Sequence, residues 1–298
     1  DTAEMYSIPG KQETYGSTEK IIGTWFKKTG RREEVVLASK IAGPNPLFGY
    51  MRDKLDFSPA SIKYALDKSL ERLQTDYLDI YQLHWPERKT NCFGQRGLKV
   101  QDDAWEDNFH EVLETLDGLV KVGKIKHVGV SNENPWGLMR FLEESKYNKL
   151  TRIKTIQNPY SLLNRLFENA SAEVCLRENV GLLAYSPLAF GVLSGKFLTG
   201  ESHPNARLSL FPQYARYSSA QSTEATKLYQ KVAQKHGLTL TELALAFEQQ
   251  QPFVTSSIIG ATTMEQLKEN IATIDVVLSN EILREIDAVH AIIPDPAP

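Results

Sequence analysis

Short aliphatic and β-branched runs alternate along the chain with longer stretches whose apolar residues recur at spacings of three and four. The short runs predict strands at 35–40 (VVLASK), 77–85 (YLDIYQLHW), 125–132 (IKHVGVSN), 155–160 (TIQNPY), 180–187 (VGLLAYSP) and 255–261 (TSSIIGA). Between the first two, Ile62, Ala65, Leu66, Ser69, Leu70 and Leu73 mark one face of a helix. Ser58 and Pro59 open it, supplying an N-cap and a proline at the first helical position. Strands separated by amphipathic helices are the pattern of βα units wound on a parallel sheet. Two stretches break the rhythm, 86–104 and 188–219, both polar and containing glycine or proline. They are expected to be long loops after strands, where α/β barrels keep their chemistry.

No linker or internal repeat divides the chain, so residues 1–298 are expected to form a single domain. One (β/α)8 barrel, typically about 250 residues plus insertions, suits this length. Closure needs eight strands, whereas six are legible and none precedes the first residues. The chain is therefore expected to begin after its N-terminal strands. A content of 41% hydrophobic and 24% charged residues supports a full core and excludes a disordered chain. The net charge of −3 gives no general attraction to nucleic acid or to an anionic membrane surface. Cys92 and Cys175 lack CxxC or CxxH spacing, which argues against a disulfide framework and a structural zinc site. Without a long apolar window or a secretory signal, a cytoplasmic protein acting on a small molecule is expected. Its oligomeric state is not legible.

The polar residues at the ends of the predicted strands carry the chemistry. Asp1 and Tyr6 lie in the first segment, Lys40 ends one strand, and His84 lies near the end of the next. Alternation puts Val36, Ala38 and Lys40 on one face, so the lysine is expected to be partly desolvated. A neighbouring cation favours phenolate over phenol, as a tyrosine proton donor near neutral pH requires. A carboxylate can hold that cation, and a histidine can hydrogen-bond a carbonyl oxygen. No GxGxxG follows a strand, which argues against a Rossmann site. The run 191–196 (GVLSGK) is one residue short of a phosphate loop and continues with Phe197. In 258–270 (IIGATTMEQLKEN), Thr262 with Glu265 reads as a capping box. It would make 260–263 a tight turn into a helix whose free N–H groups can meet a phosphate.

The run DTAEMY and the strands VVLASK and YLDIYQLHWP resemble the aldo-keto reductase superfamily. Nearly the whole chain can be laid along that family, with its Tas-type branch of NADP(H)-dependent reductases the best likeness. The resemblance implies a (β/α)8 TIM barrel that reduces aldehydes and ketones to alcohols with NADP(H). It implies Tyr6 as general acid, Lys40 as its modulator, Asp1 as the partner of Lys40 and His84 as the group orienting the carbonyl. It also implies an adenosine-phosphate site at Gly260, Thr262, Gln266, Glu269 and Asn270, with Lys196 and Arg207 for the 2′-phosphate and pyrophosphate. Ser131, Asn132, Gln157 and Tyr185 match its nicotinamide positions, with Ser186 and Leu188 beside Tyr185 among the cofactor contacts. No metal is implied. Two alternatives remain open at this point: an NADP(H)-binding regulatory subunit with slow turnover, similar to potassium-channel β subunits, and a barrel lyase using Lys40 as a Schiff-base nucleophile.

Overall fold

The computed structural model describes residues 1–97 and 104–298; the part of the predicted 86–104 loop at 98–103 lies outside the described residues. The chain divides into two units, one of residues 1–92 and 98–156, the other of residues 93–97 and 157–298. In the first unit, β1 (Ala38–Ile41), β2 (Leu78–Leu83) and β3 (Ile125–Ser131) pair in parallel. Helices α1 (Ser17–Thr29), α2 (Pro59–Leu73), α3 (Phe109–Lys121) and α4 (Pro135–Asn148) alternate with them.

Helix α2 forms as its spacing predicts. Ser58 accepts a hydrogen bond from the Ser61 N–H at the N-cap, Pro59 sits in the first turn, and all six predicted face residues are buried. Across the packed α1–α2 pair, Arg72 on α2 donates to Glu19 on α1 at 2.6 Å, and Ser39 of β1 donates to the same carboxylate. The register sets Lys40 opposite Gln82, and Gln82 opposite Gly129. A Cβ at Gly129 would lie 3.1 Å from Cγ of Gln82 and overlap Thr155, so glycine here makes room for the glutamine side chain.

In the second unit β5 (Gly181–Tyr185) pairs in parallel with β6 (Val254–Ile258). Its helices are α5 (Ser171–Glu178), the short α6 (Arg207–Leu210), α7 (Ala220–Lys235), α8 (Leu240–Gln249), α9 (Met264–Ala272) and α10 (Asn280–Ile292). Strand β4 (Ile153–Pro159) crosses the division after Ile156. The predicted loop 188–219 is folded into short 3-10 turns around α6 rather than left irregular. Among the described residues six strands alternate with helices, the α/β architecture of the (β/α)8 barrel class. No described helix is long and apolar enough to cross a membrane.

Two local expectations need correction. The first strand begins at Ala38 rather than at 35, and Val36 is 73% exposed, so Val36 does not share a buried face with Lys40. Lys40 is accordingly more desolvated than the alternation implied, fully buried rather than partly. At the start of α9 the N-cap is Thr263, which accepts from the Gln266 N–H. Thr262 and Glu265 therefore form no capping box; Thr262 instead gives its N–H and hydroxyl to the side-chain oxygen of Gln266.

Candidate active site

The first segment is held like a strand against β1: the Thr2 N–H donates to the Ala38 carbonyl at 2.9 Å, and the Glu4 N–H to the Lys40 carbonyl at 3.2 Å. This pairing sets Asp1 and Tyr6 beside the end of β1. The Lys40 ammonium, fully buried, donates to Asp1 Oδ2 at 2.7 Å and to the Thr2 carbonyl at 2.8 Å. Its Nζ lies 4.9 Å from the centroid of the Tyr6 ring. Burial pulls the ammonium below its ordinary pKa, and the interaction with Tyr6 opposes that pull. Gln82 donates to Asp1 Oδ1 at 3.3 Å, so both carboxylate oxygens are held from the sheet.

His84 stands just past β2, and its N–H donates to the Ile41 carbonyl at 2.9 Å. The ring is edge-on to Tyr6, with centroids 5.6 Å apart, and is tilted against Trp85. Burial, and then the charge of Lys40, hold its pKa well below the ordinary histidine value. The imidazole is therefore neutral near pH 7 and can donate one hydrogen bond without carrying charge. Among the described residues its Nδ1 has no hydrogen-bond partner. Tyr6 itself packs on an apolar cluster of Ala3, Met5, Ala42, Met51 and Trp85. Asp1, Lys40, Tyr6 and His84 thus form one connected group: a carboxylate, a cation, a phenol and a neutral imidazole.

Two buried carboxylates missed in the sequence support it. Glu4, between Asp1 and Tyr6, accepts from Arg52 at 2.7 Å and from the Ala42 N–H at 2.7 Å. It thereby ties the Tyr6 segment to the residue two beyond Lys40. Glu19 does the same for β1 through Ser39. Gln82 had a usable signal, since it is a polar residue in an apolar strand on the same face as His84. Glu4 and Arg52 had none, because their pairing depends on how the loop after β1 folds.

The proposed cofactor residues fall in both units. In the first, Ser131 ends β3 and Asn132 follows it, both buried. The Asn132 amide donates to the His84 carbonyl at 2.9 Å and to Ser131 Oγ at 3.1 Å. In the second, Gln157 is buried on β4, while Tyr185, Ser186 and Leu188 are half-buried at and after the end of β5. Gly260, Thr262, Gln266 and Glu269 are exposed around the start of α9, whereas Asn270 is buried and its carbonyl accepts from Thr273. Nothing lies within 4 Å of a Cβ built on Gly260. The exposed Arg207 guanidinium is 4.7 Å from the Phe190 ring, and Lys196 lies over Phe197. Hydroxyls, a helix start and two cations are donors suited to phosphate, and the exposed Glu269 carboxylate suits a sugar hydroxyl; this set fits a phosphorylated dinucleotide.

The aldo/keto reductase family model matches residues 1–291. The chain belongs to the aldo/keto reductase family. It is 48% identical over 300 residues to the protein Tas of Escherichia coli strain K12, covering 100% of this chain and 86% of that protein. It is 33% identical to the uncharacterized oxidoreductase YrpG of Bacillus subtilis strain 168, over 96% of this chain and 81% of that one. It is 27% identical to the aldo-keto reductase yakc [NADP(+)] of Schizosaccharomyces pombe, over 96% and 76%. This aldo/keto reductase is therefore an oxidoreductase, and oxidoreduction of carbonyl compounds is the activity general to its family.

Proposed function

We propose that this reductase converts aldehydes and ketones to alcohols with NADPH, using Tyr6 as the general acid. The observation that carries the reading is the buried Lys40 ammonium, fixed by Asp1 and Thr2 and placed beside Tyr6 and a neutral His84. When bound, NADPH supplies the hydride that the carbonyl carbon accepts. The neutral imidazole of His84 donates a hydrogen bond to the carbonyl oxygen and orients it toward Tyr6. Tyr6 passes its hydroxyl proton to that oxygen as negative charge develops there. Lys40 stabilises the phenolate left behind, and Asp1 holds the lysine against the pull of burial.

Ser131, Asn132, Gln157, Tyr185, Ser186 and Leu188 are assigned to the nicotinamide end. Gly260, Thr262, Gln266, Glu269 and Asn270 are assigned to the adenosine phosphate, and Lys196 and Arg207 to the 2′-phosphate and pyrophosphate. The Lys40–Asp1 ion pair favours a charged lysine and so disfavours a Schiff-base role, which needs the neutral amine. The test is NADPH consumption over a panel of aromatic and aliphatic aldehydes. Multiple turnovers are expected; tight cofactor retention without turnover across the panel would favour a regulatory NADP(H)-binding role instead.

A further inference from the structure

Three side-chain links tie the loop after β2 to the loop after β3, close to two residues of the proposed site, His84 and Asn132. The Arg88 guanidinium takes both oxygens of the Glu133 carboxylate and also reaches Asn134 Oδ1 at 3.3 Å. The Asn134 amide donates to Thr90 Oγ1 at 2.8 Å. The Asn132 amide donates to the backbone carbonyl of His84. The loop carrying the carbonyl-orienting histidine and the loop carrying the nicotinamide-end Asn132 are thus cross-linked by one polar cluster.

Its centre is expensive to maintain. Glu133 is 4% exposed, and burial raises its carboxyl pKa despite the Arg88 charge beside it. A buried ion pair of this kind adds little stability over an apolar pair of equal volume, because desolvation offsets the attraction. What it adds is direction: a planar guanidinium holding both carboxylate oxygens fixes position and plane together. The Glu133 carboxylate also accepts from the Asn134 N–H at 2.7 Å, which fixes the peptide that follows. Just before it, Asn132 has a φ of 52°, in the left-handed region that asparagine enters more readily than other residues with a side chain but that still needs a fixed turn to be held. Asn134 in turn caps α4 by accepting from the Gly137 N–H, so the cluster is anchored to a helix. Arg88 is covered by Trp136, its guanidinium carbon 4.9 Å from the ring centroid.

We propose that the Arg88–Glu133 pair is a positioning device for this reductase: it holds Asn132 in its left-handed conformation and, through the Asn132 amide, the backbone of His84. The proposal rests on the roles given above to His84 and Asn132.

The test replaces both buried charges together, Arg88→Met with Glu133→Leu, and compares this variant with the parent protein, each with and without Asn132→Ala. Thermal midpoint, NADPH dissociation constant by fluorescence titration, and kcat/KM for an aldehyde are measured on all four proteins. The double variant is expected to keep its thermal midpoint within a few degrees while binding NADPH about tenfold more weakly, the scale of a modest misplacement of binding groups. Asn132→Ala is expected to cost less in the double variant than in the parent, because Asn132 is already displaced there. Unchanged binding and kcat/KM, or losses that simply add to those of Asn132→Ala, overturn the proposal. If the double variant does not fold, Arg88→Lys serves, since it keeps the charge and loses the fork; several-fold weaker binding supports the proposal and unchanged binding overturns it. If Asn132→Ala weakens binding in the parent and the charge-free variant does not, the positioning role fails and the role of Asn132 stands. If Asn132→Ala leaves binding and kcat/KM unchanged while the charge-free variant weakens both, the route through Asn132 is overturned along with the nicotinamide role given to Asn132.

Discussion

Burial lowers the pKa of both Lys40 and His84, but the two differ in what opposes it. Asp1 and the Thr2 carbonyl hold the Lys40 ammonium and Tyr6 opposes the pull of burial on it, whereas at His84 burial and the Lys40 charge act together and keep the ring neutral. The depressed His84 pKa has a consequence for stability. Below the ordinary histidine value the unfolded chain takes up a proton that the folded imidazole refuses, so folding stability falls as pH falls through about 6.5. His84→Gln removes that contribution. The decline in unfolding free energy between pH 7 and 5, measured by urea titration, is predicted to be shallower in His84→Gln than in the parent; an unchanged decline would mean the ring is not held neutral. Asp1, Tyr6, Lys40 and His84 could be singled out from their types and their order along the chain, and the structure brings the four side chains together. Gln82 was readable as a polar residue in an apolar strand, but its role was not, because register sets it opposite Lys40 and within reach of Asp1.

Among the helices, α8 carries a buried carboxylate with no ion-pair partner among the described residues. Glu248 is fully buried, and burial pushes its pKa up to about 8 against the weaker opposing pull of the Ser257 hydroxyl. The folded state therefore holds a proton that the unfolded state releases near 4.5. Stability is lost as pH rises from that value to about 8 and then levels off. Glu248→Gln is predicted to unfold at higher denaturant than the parent at pH 9, by a few kcal/mol, and to differ little at pH 4.5. Equal midpoints at pH 9 would contradict the buried neutral carboxyl. Glu19, by contrast, is fully partnered: its carboxylate bridges α1, β1 and Arg72 of α2. Glu19→Ala leaves Arg72 without that carboxylate and is predicted to cost about 3–5 kcal/mol in chemical denaturation. The existence of the strands and of α2 was readable from periodicity, but the ends were not. At α9 two adjacent threonines, Thr262 and Thr263, are each followed three residues later by Glu or Gln, so two overlapping capping patterns are written there. The helix takes the second, because it begins at Met264 and Gln266 turns back to Thr262.

For the molecule as a whole, the family assignment fixes the fold class and the general chemistry, and the proposed preference for NADPH rests on the charges of Lys196 and Arg207. If Lys196 and Arg207 read the 2′-phosphate, NADPH stabilises the folded protein more than NADH does at equal concentration. At a hundred times its dissociation constant, NADPH is predicted to add about 2.7 kcal/mol, seen as a rise in thermal midpoint. Arg207→Ala should bring the two cofactors' shifts closer together; an unchanged gap would remove Arg207 from the phosphate site. The most direct measurement of the central claim is single-turnover oxidation of bound NADPH by an aromatic aldehyde in the parent protein and in Tyr6→Phe, with cofactor affinity determined separately. The account predicts a rate lower by a factor of about 10²–10⁴ in the variant at nearly unchanged NADPH affinity. A variant that oxidises NADPH as fast as the parent would show that the proton comes from elsewhere.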